Sequence, residues 1–128
     1  MRKVSSIIIH HSESDIKSHD DISVIKEWHL DRGFKDVGYH YFIRKNGSIQ
    51  KGRDSNIIGA HCKKKNRSSI GICLSGDSKF TEYQFRALAV LIRRIKDIYG
   101  KLAVQPHSKY SEKDCPNFDV DKFKEDYL

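Results

Sequence analysis

Two histidines and a cysteine, His10, His107 and Cys115, are residues of this 128-residue chain whose types and placement suit metal chemistry. Two imidazoles and one thiolate make a three-ligand set for zinc and leave a fourth position open for water. That is the arrangement of a catalytic ion rather than a structural one. A structural zinc site would bring close Cys-x-x-Cys or His-x-x-x-His pairs, and the sequence has neither. Seven histidines and three cysteines offer many such trios, so spacing alone does not choose this one. Neighbouring side chains on a strand face opposite ways, so His10 and His11 cannot both reach one metal; the residues themselves leave either open.

The elements that must position these residues can be read in outline. Residues 4–10 form a short β-branched apolar run, the pattern of a buried strand, and place His10 at its C-terminal end. Asp20 or Asp21 can cap a helix running to about Arg32, with Ile22, Ile25, Trp28 and His29 on one stripe and Gly33 as its stop. Residues 39–44 and 48–51 flank Asn46-Gly47, a strong hairpin signal. Residues 69–74 read as another apolar strand. Thr81 and Gln84 form a capping box before a helix that carries Phe85, Leu88, Ala89, Leu91, Ile92, Ile95 and Ile98 and ends at Gly100. Residues 102–105 suit a short strand stopped by Pro106, with His107 just beyond it. Residues 118–127 read as a last helix with Asp119 near its start. The fold class expected is α/β, a single domain over residues 1–128 with a central mixed sheet flanked by helices.

Composition bounds the function. Hydrophobic residues at 38% and charged residues at 32% are ordinary for a globular domain, and no apolar run approaches the roughly 20 residues that span a bilayer. The apolar stretch at residues 7–9 is shorter than a secretory core of roughly 7–15 residues, so synthesis in the cytoplasm without an export signal is expected. An odd three cysteines argue against a disulfide framework. The net charge is +7, with a basic run at residues 63–67. The run reads first as a solvated loop, and second as attraction to an anionic polymer, either nucleic acid or bacterial cell wall.

Five separated strings stand in order along the chain: IIIHHS at residues 7–12, WH at 28–29 with DVGYHYFI at 36–43, GR at 52–53, SIGICLSG at 69–76, and HSKYSEKDCPNFD at 107–119. Together they resemble the type 2 N-acetylmuramoyl-L-alanine amidases, a family of zinc enzymes that shares its fold with peptidoglycan recognition proteins. The resemblance runs from about residue 6 to 123. It implies zinc as cofactor, with His10, His107 and Cys115 as its ligands, and so selects His10 over His11. It places the family's catalytic tyrosine on Tyr39 and its lysine on Lys113. A cleft-lining histidine falls on His61, with Arg53 and Asn66 as further neighbours of substrate. The implied activity is hydrolysis of the bond between N-acetylmuramic acid and L-alanine.

One departure bears on mechanism. Cys73 stands where many bacterial members carry a glutamate regarded as the general base, as it does in phage-type members. That shifts base chemistry towards Tyr39, with His61 beside it. The expected partner is peptidoglycan or a muropeptide, met by a monomer acting on the bacterial wall, with no membrane insertion. A phage-type endolysin is the leading reading. A non-catalytic recognition module, a cytosolic muropeptide-recycling amidase, and a nucleic-acid or polymerase-binding role raised by the charge are the alternatives.

Overall fold

The isoleucines at residues 7–9 lie at the heart of strand β1 (Ser6–His11), every residue of which is buried. A strand hidden on both faces needs parallel neighbours under helical cover, and β1 pairs in parallel with β4 (Ser69–Leu74) on one side and β5 (Ala103–Pro106) on the other. Strand β2 (Tyr41–Ile43) continues the sheet in parallel beside β4, and β3 (Ile49–Lys51) closes it as the antiparallel partner of β2. The resulting order is β3-β2-β4-β1-β5. The computed structural model describes all residues, Met1–Leu128.

Three helices cover this mixed sheet: α1 (Ile22–Asp31), α2 (Glu82–Tyr99) and α3 (Val120–Tyr127). The Thr81 hydroxyl accepts from Gln84 N–H while the Gln84 side chain accepts from Thr81 N–H, so α2 begins with the expected reciprocal cap. Its Leu88, Leu91, Ile92 and Ile95, spaced three and four apart, are buried in the main core with Ile7, Ile9, Ile70, Ile72 and Leu74. Each such side chain contributes about 1.5–3 kcal/mol by leaving water. Phe123 of α3 joins the same core. No helix is long and apolar enough to cross a membrane.

The opposite face of the sheet carries a second, smaller cluster. Ile25 of α1 packs there with Val37, Phe42 and Cys73 in a cluster of four buried residues. Strand register then decides which histidine looks this way. Phe42, Cys73 and His10 stand abreast across β2, β4 and β1, whereas Ile43, Leu74 and His11 form the next row. Ile43 and Leu74 belong to the core under α2, so period-two alternation sends His11 to that side and His10 to the α1 side.

Element boundaries differ from the sequence expectations in small, explicable ways. The Asn46-Gly47 hairpin is a three-residue loop: Gly47 N–H donates to Arg44 O and Arg44 N–H to Ser48 O, with a positive φ of 87° at Gly47 alone. Strand β5 includes Pro106, which an edge strand accepts because no ladder bond is asked of its nitrogen.

Candidate metal centre

His10, His107 and Cys115 come together at the C-terminal ends of β1 and β5. Strand β5 passes directly into a single 3-10 turn, His107–Lys109, which lifts the His107 ring over the end of β1. The centroids of the His10 and His107 rings are 4.4 Å apart. The chain then folds back on this turn: Ser108 N–H donates to Cys115 O at 2.7 Å, and Cys115 N–H to Lys113 O at 3.0 Å. That return closes the eight-residue gap and delivers the Cys115 sulfur 3.8 Å from His10 Nδ1.

The three potential ligand atoms lie within 4.8 Å of one another. Zinc bonds of about 2.0–2.1 Å to nitrogen and 2.3 Å to sulfur, set at a tetrahedral angle, separate the two donors by roughly 3.6 Å. The spacing seen between His10 and Cys115 therefore fits that ion. A further sign is that His107 Nδ1 is buried with no hydrogen-bond partner, a condition that costs about 1–3 kcal/mol unless something satisfies the atom. The donor set and the spacing suit zinc.

Electrostatics prepare the set unequally. Burial first, then the neighbouring His61 and His107, hold the His10 pKa well below its ordinary value, so the imidazole is neutral as a ligand must be. Burial, with help from the Lys113 ammonium, lowers His107 in the same direction. Burial pushes the Cys115 thiol up to about 11, so in the metal-free chain the sulfur keeps its proton.

The trio lines a cavity of about 120 Å³ that also takes in Tyr39, His61 and Lys113. Tyr39 sits in the loop before β2, its ring 5.0 Å from that of His10 and 5.3 Å from that of His29. Burial, followed by the Cys73 and Cys115 thiols, raises its phenol well above the ordinary range, so the hydroxyl is held as a proton donor. Lys113 is exposed at the rim. Cys73, on the strand beside His10, lies fully buried in the small cluster against which Tyr39 packs, its thiol turned to Leu74 O at 3.8 Å.

The other three expected residues sit in and beside this cavity. His61 lines the cavity, but its two ring nitrogens point to His10 Nε2 at 2.8 Å and Ser69 Oγ at 3.3 Å. Arg53 and Asn66 do not line the cavity. The Arg53 guanidinium donates to Val37 O and Ile58 O, bracing the loop behind Tyr39. Asn66 Oδ1 accepts from the N–H groups of His61 and Cys62, tying off the basic loop. The structure thus shows both side chains engaged with backbone outside the cavity.

His29 is the reverse case, a functional neighbour that the sequence did not single out. It lies on the buried stripe of α1 four residues after Ile25, and its Nδ1 accepts from Gly38 N–H at 2.8 Å. A histidine on an apolar helical stripe was the available signal.

Comparison with known proteins agrees with this geometry. The family model for N-acetylmuramoyl-L-alanine amidase matches residues 1–118. The chain belongs to that family. It is 33% identical to the endolysin of Klebsiella phage KP32, over 97% of this chain and 87% of that one. The fold superposes on the N-acetylmuramoyl-L-alanine amidase LysC from Clostridium intestinale with a TM-score of 0.87 at 28% identity, covering 98% of this chain and 85% of LysC. It also matches a tyrosine-to-phenylalanine mutant of Drosophila PGRP-LB, solved in complex with tracheal cytotoxin, with a TM-score of 0.80 at 28% identity, over 91% of this chain and 76% of that one. The family thus joins amidases and peptidoglycan recognition proteins on one sheet, as the ordered strings imply.

Proposed function

We propose that this amidase is zinc-dependent and works as a phage-type endolysin, hydrolysing the amide between the lactyl group of N-acetylmuramic acid and the L-alanine of the stem peptide. The observation that carries the reading is the convergence of His10, His107 and Cys115, two of them buried, at one end of a cavity that also holds Tyr39 and Lys113. Recognition without cleavage would not call for a complete ligand set beside a phenol and an ammonium. The phage endolysin relatives favour wall lysis over muropeptide recycling.

His10, His107 and Cys115 would hold the ion, which when bound supplies Lewis acidity to the amide carbonyl and acidity to water. The remaining work falls to this chain's own groups. The Lys113 ammonium, at the rim of the cavity, stabilises the negative charge that develops on the carbonyl oxygen as the carbon becomes tetrahedral. The Tyr39 hydroxyl holds the attacking water and gives its proton to the departing L-alanine nitrogen as the C–N bond breaks, the proton released by the water returning to the Tyr39 oxygen. His10, His61 and Tyr39 wall off the inner side of the cavity, so water reaches the amide from the rim.

Digestion of purified peptidoglycan followed by mass spectrometry tests this assignment. The expected products are stem peptides with a free L-alanine amine and glycan strands with intact lactyl carboxylates, both absent when a chelator is added. Products cut between sugars, or within the stem, would refute it.

A further inference from the structure

His10 offers its Nδ1 towards Cys115, so its Nε2 must face elsewhere, and what it faces is a chain of hydrogen bonds with only one consistent direction. His10 Nε2 lies 2.8 Å from His61 Nδ1, His61 Nε2 lies 3.3 Å from Ser69 Oγ, and Ser69 Oγ lies 2.7 Å from Lys65 O. A carbonyl oxygen can only accept, so the Ser69 hydroxyl proton goes to Lys65 O. Ser69 Oγ then has only lone pairs to present to His61, and His61 must carry its proton on Nε2. His61 Nδ1 is left bare and accepts from His10 Nε2–H. His10 Nδ1 is consequently the unprotonated atom, aimed at the Cys115 sulfur 3.8 Å away.

We infer that His61 is a positioning residue: with Ser69 and the Lys65 carbonyl it fixes the tautomer and orientation in which His10 can ligate zinc. The inference rests on the zinc reading above and gives His61 a role distinct from substrate contact. Three other features hold the relay in register. A Cβ at Gly71 would sit 2.5 Å from the His61 ring, and one at Gly59 would meet the same ring at 2.8 Å, so glycine at both positions lets the imidazole lie against backbone. Asn66 Oδ1 clamps the N–H of His61 itself at 2.9 Å. The carbonyl at the end of the relay belongs to Lys65, within the basic run, so that loop is tied to the metal site through its backbone.

Outer partners of this kind are worth about 10–100-fold in metal affinity. The test is zinc affinity, measured by competition with a chromophoric chelator, for wild type, Ser69→Ala and His61→Phe. The histidine tautomers of the zinc-free wild type are read separately by nitrogen-15 NMR. The expected results are an approximately 10-fold loss for Ser69→Ala, a 10–100-fold loss for His61→Phe, and a wild-type His10 protonated on Nε2. Zinc affinity within twofold of wild type in both variants would overturn the inference, as would a wild-type His10 protonated on Nδ1. The tautomer measurement needs no variant, so the question is decided even where His61→Phe does not fold. A wild type that binds no zinc would instead refute the function proposed above, and the tautomer result would still be read.

Discussion

His29 Nδ1 accepts the N–H of Gly38 at 2.8 Å, and through that bond helix α1 holds the loop that carries Tyr39. The imidazole ring also packs 5.3 Å from the Tyr39 ring, so His29 fixes both the backbone and the side-chain wall of the cavity. Replacing His29 with alanine removes both supports while leaving the metal trio untouched. Amidase kcat/KM is expected to fall about 10–100-fold, the scale of a small misplacement of a catalytic group, with zinc affinity within twofold of wild type. Equal loss of zinc would show that α1 supports the ligands instead.

Tyr39→Phe keeps the ring against His10 and deletes only the hydroxyl. An activity loss of about 100-fold or more is expected, the range for a positioned proton donor. Lys113→Ala removes an exposed cation and is expected to cost about 100–1,000-fold in kcat. Neither substitution should change zinc content, measured by atomic emission on the purified variants. Retention of full activity by Tyr39→Phe would remove the phenol from the mechanism.

The loop after β1 is anchored by Asp15. Its carboxylate accepts from the N–H groups of Asp77 and Ser78 and pairs with the Lys45 ammonium at 2.6 Å, while Lys45 also reaches Lys79 O. The Lys45 partner and these backbone donors hold the Asp15 carboxyl far below the usual carboxylate range. Asp15→Ala leaves those donors without their shared acceptor and is expected to destabilise the chain by about 1–3 kcal/mol. Urea unfolding would show the loss as a lower midpoint with an unchanged slope.

Stability should also weaken in mild acid. Burial lowers the fully buried His40 from 6.5 to about 4. Its Nδ1 accepts from Gly71 N–H and its Nε2 donates to Ile57 O, so a second proton would break the first of these bonds. A depressed pKa means that the unfolded chain takes up its proton first. The contribution is therefore complete above pH 6.5 and is lost as the pH falls from there through 4. With zinc removed, the urea midpoint is expected to begin falling near pH 6.5, above the carboxylate range, with His40 accounting for roughly 1–2 kcal/mol by pH 5. A flat midpoint between pH 7 and 5 would contradict this.

Much of the architecture was legible because it follows from local rules. The isoleucine run, the capping box at Thr81 and Gln84, and the apolar stripe of α2 each specify an element without reference to the rest of the chain. The choice of His10 over His11 was not legible from the residues, since both have apolar neighbours; it needed the register that aligns His10 with Cys73 and Phe42. The trio was visible as residue types, but its convergence depends on a turn after β5 and a chain reversal closed by Ser108 and Cys115. Arg53 and Asn66 are named by the sequence as neighbours of substrate, and the backbone groups each one braces are visible only in the fold. His61 was found for its place in the cleft, and its bond to His10 could not be read from a separation of 51 residues.

The central claim is that Cys115, with His10 and His107, holds the zinc on which cleavage depends. Its most direct test is a paired measurement of bound zinc and stem-peptide release from purified walls, for wild type and Cys115→Ser. One zinc per wild-type chain is expected, with both zinc and cleavage lost in Cys115→Ser and cleavage by wild type abolished by a chelator. Cleavage by Cys115→Ser or by chelator-treated wild type at the untreated wild-type rate would contradict the account.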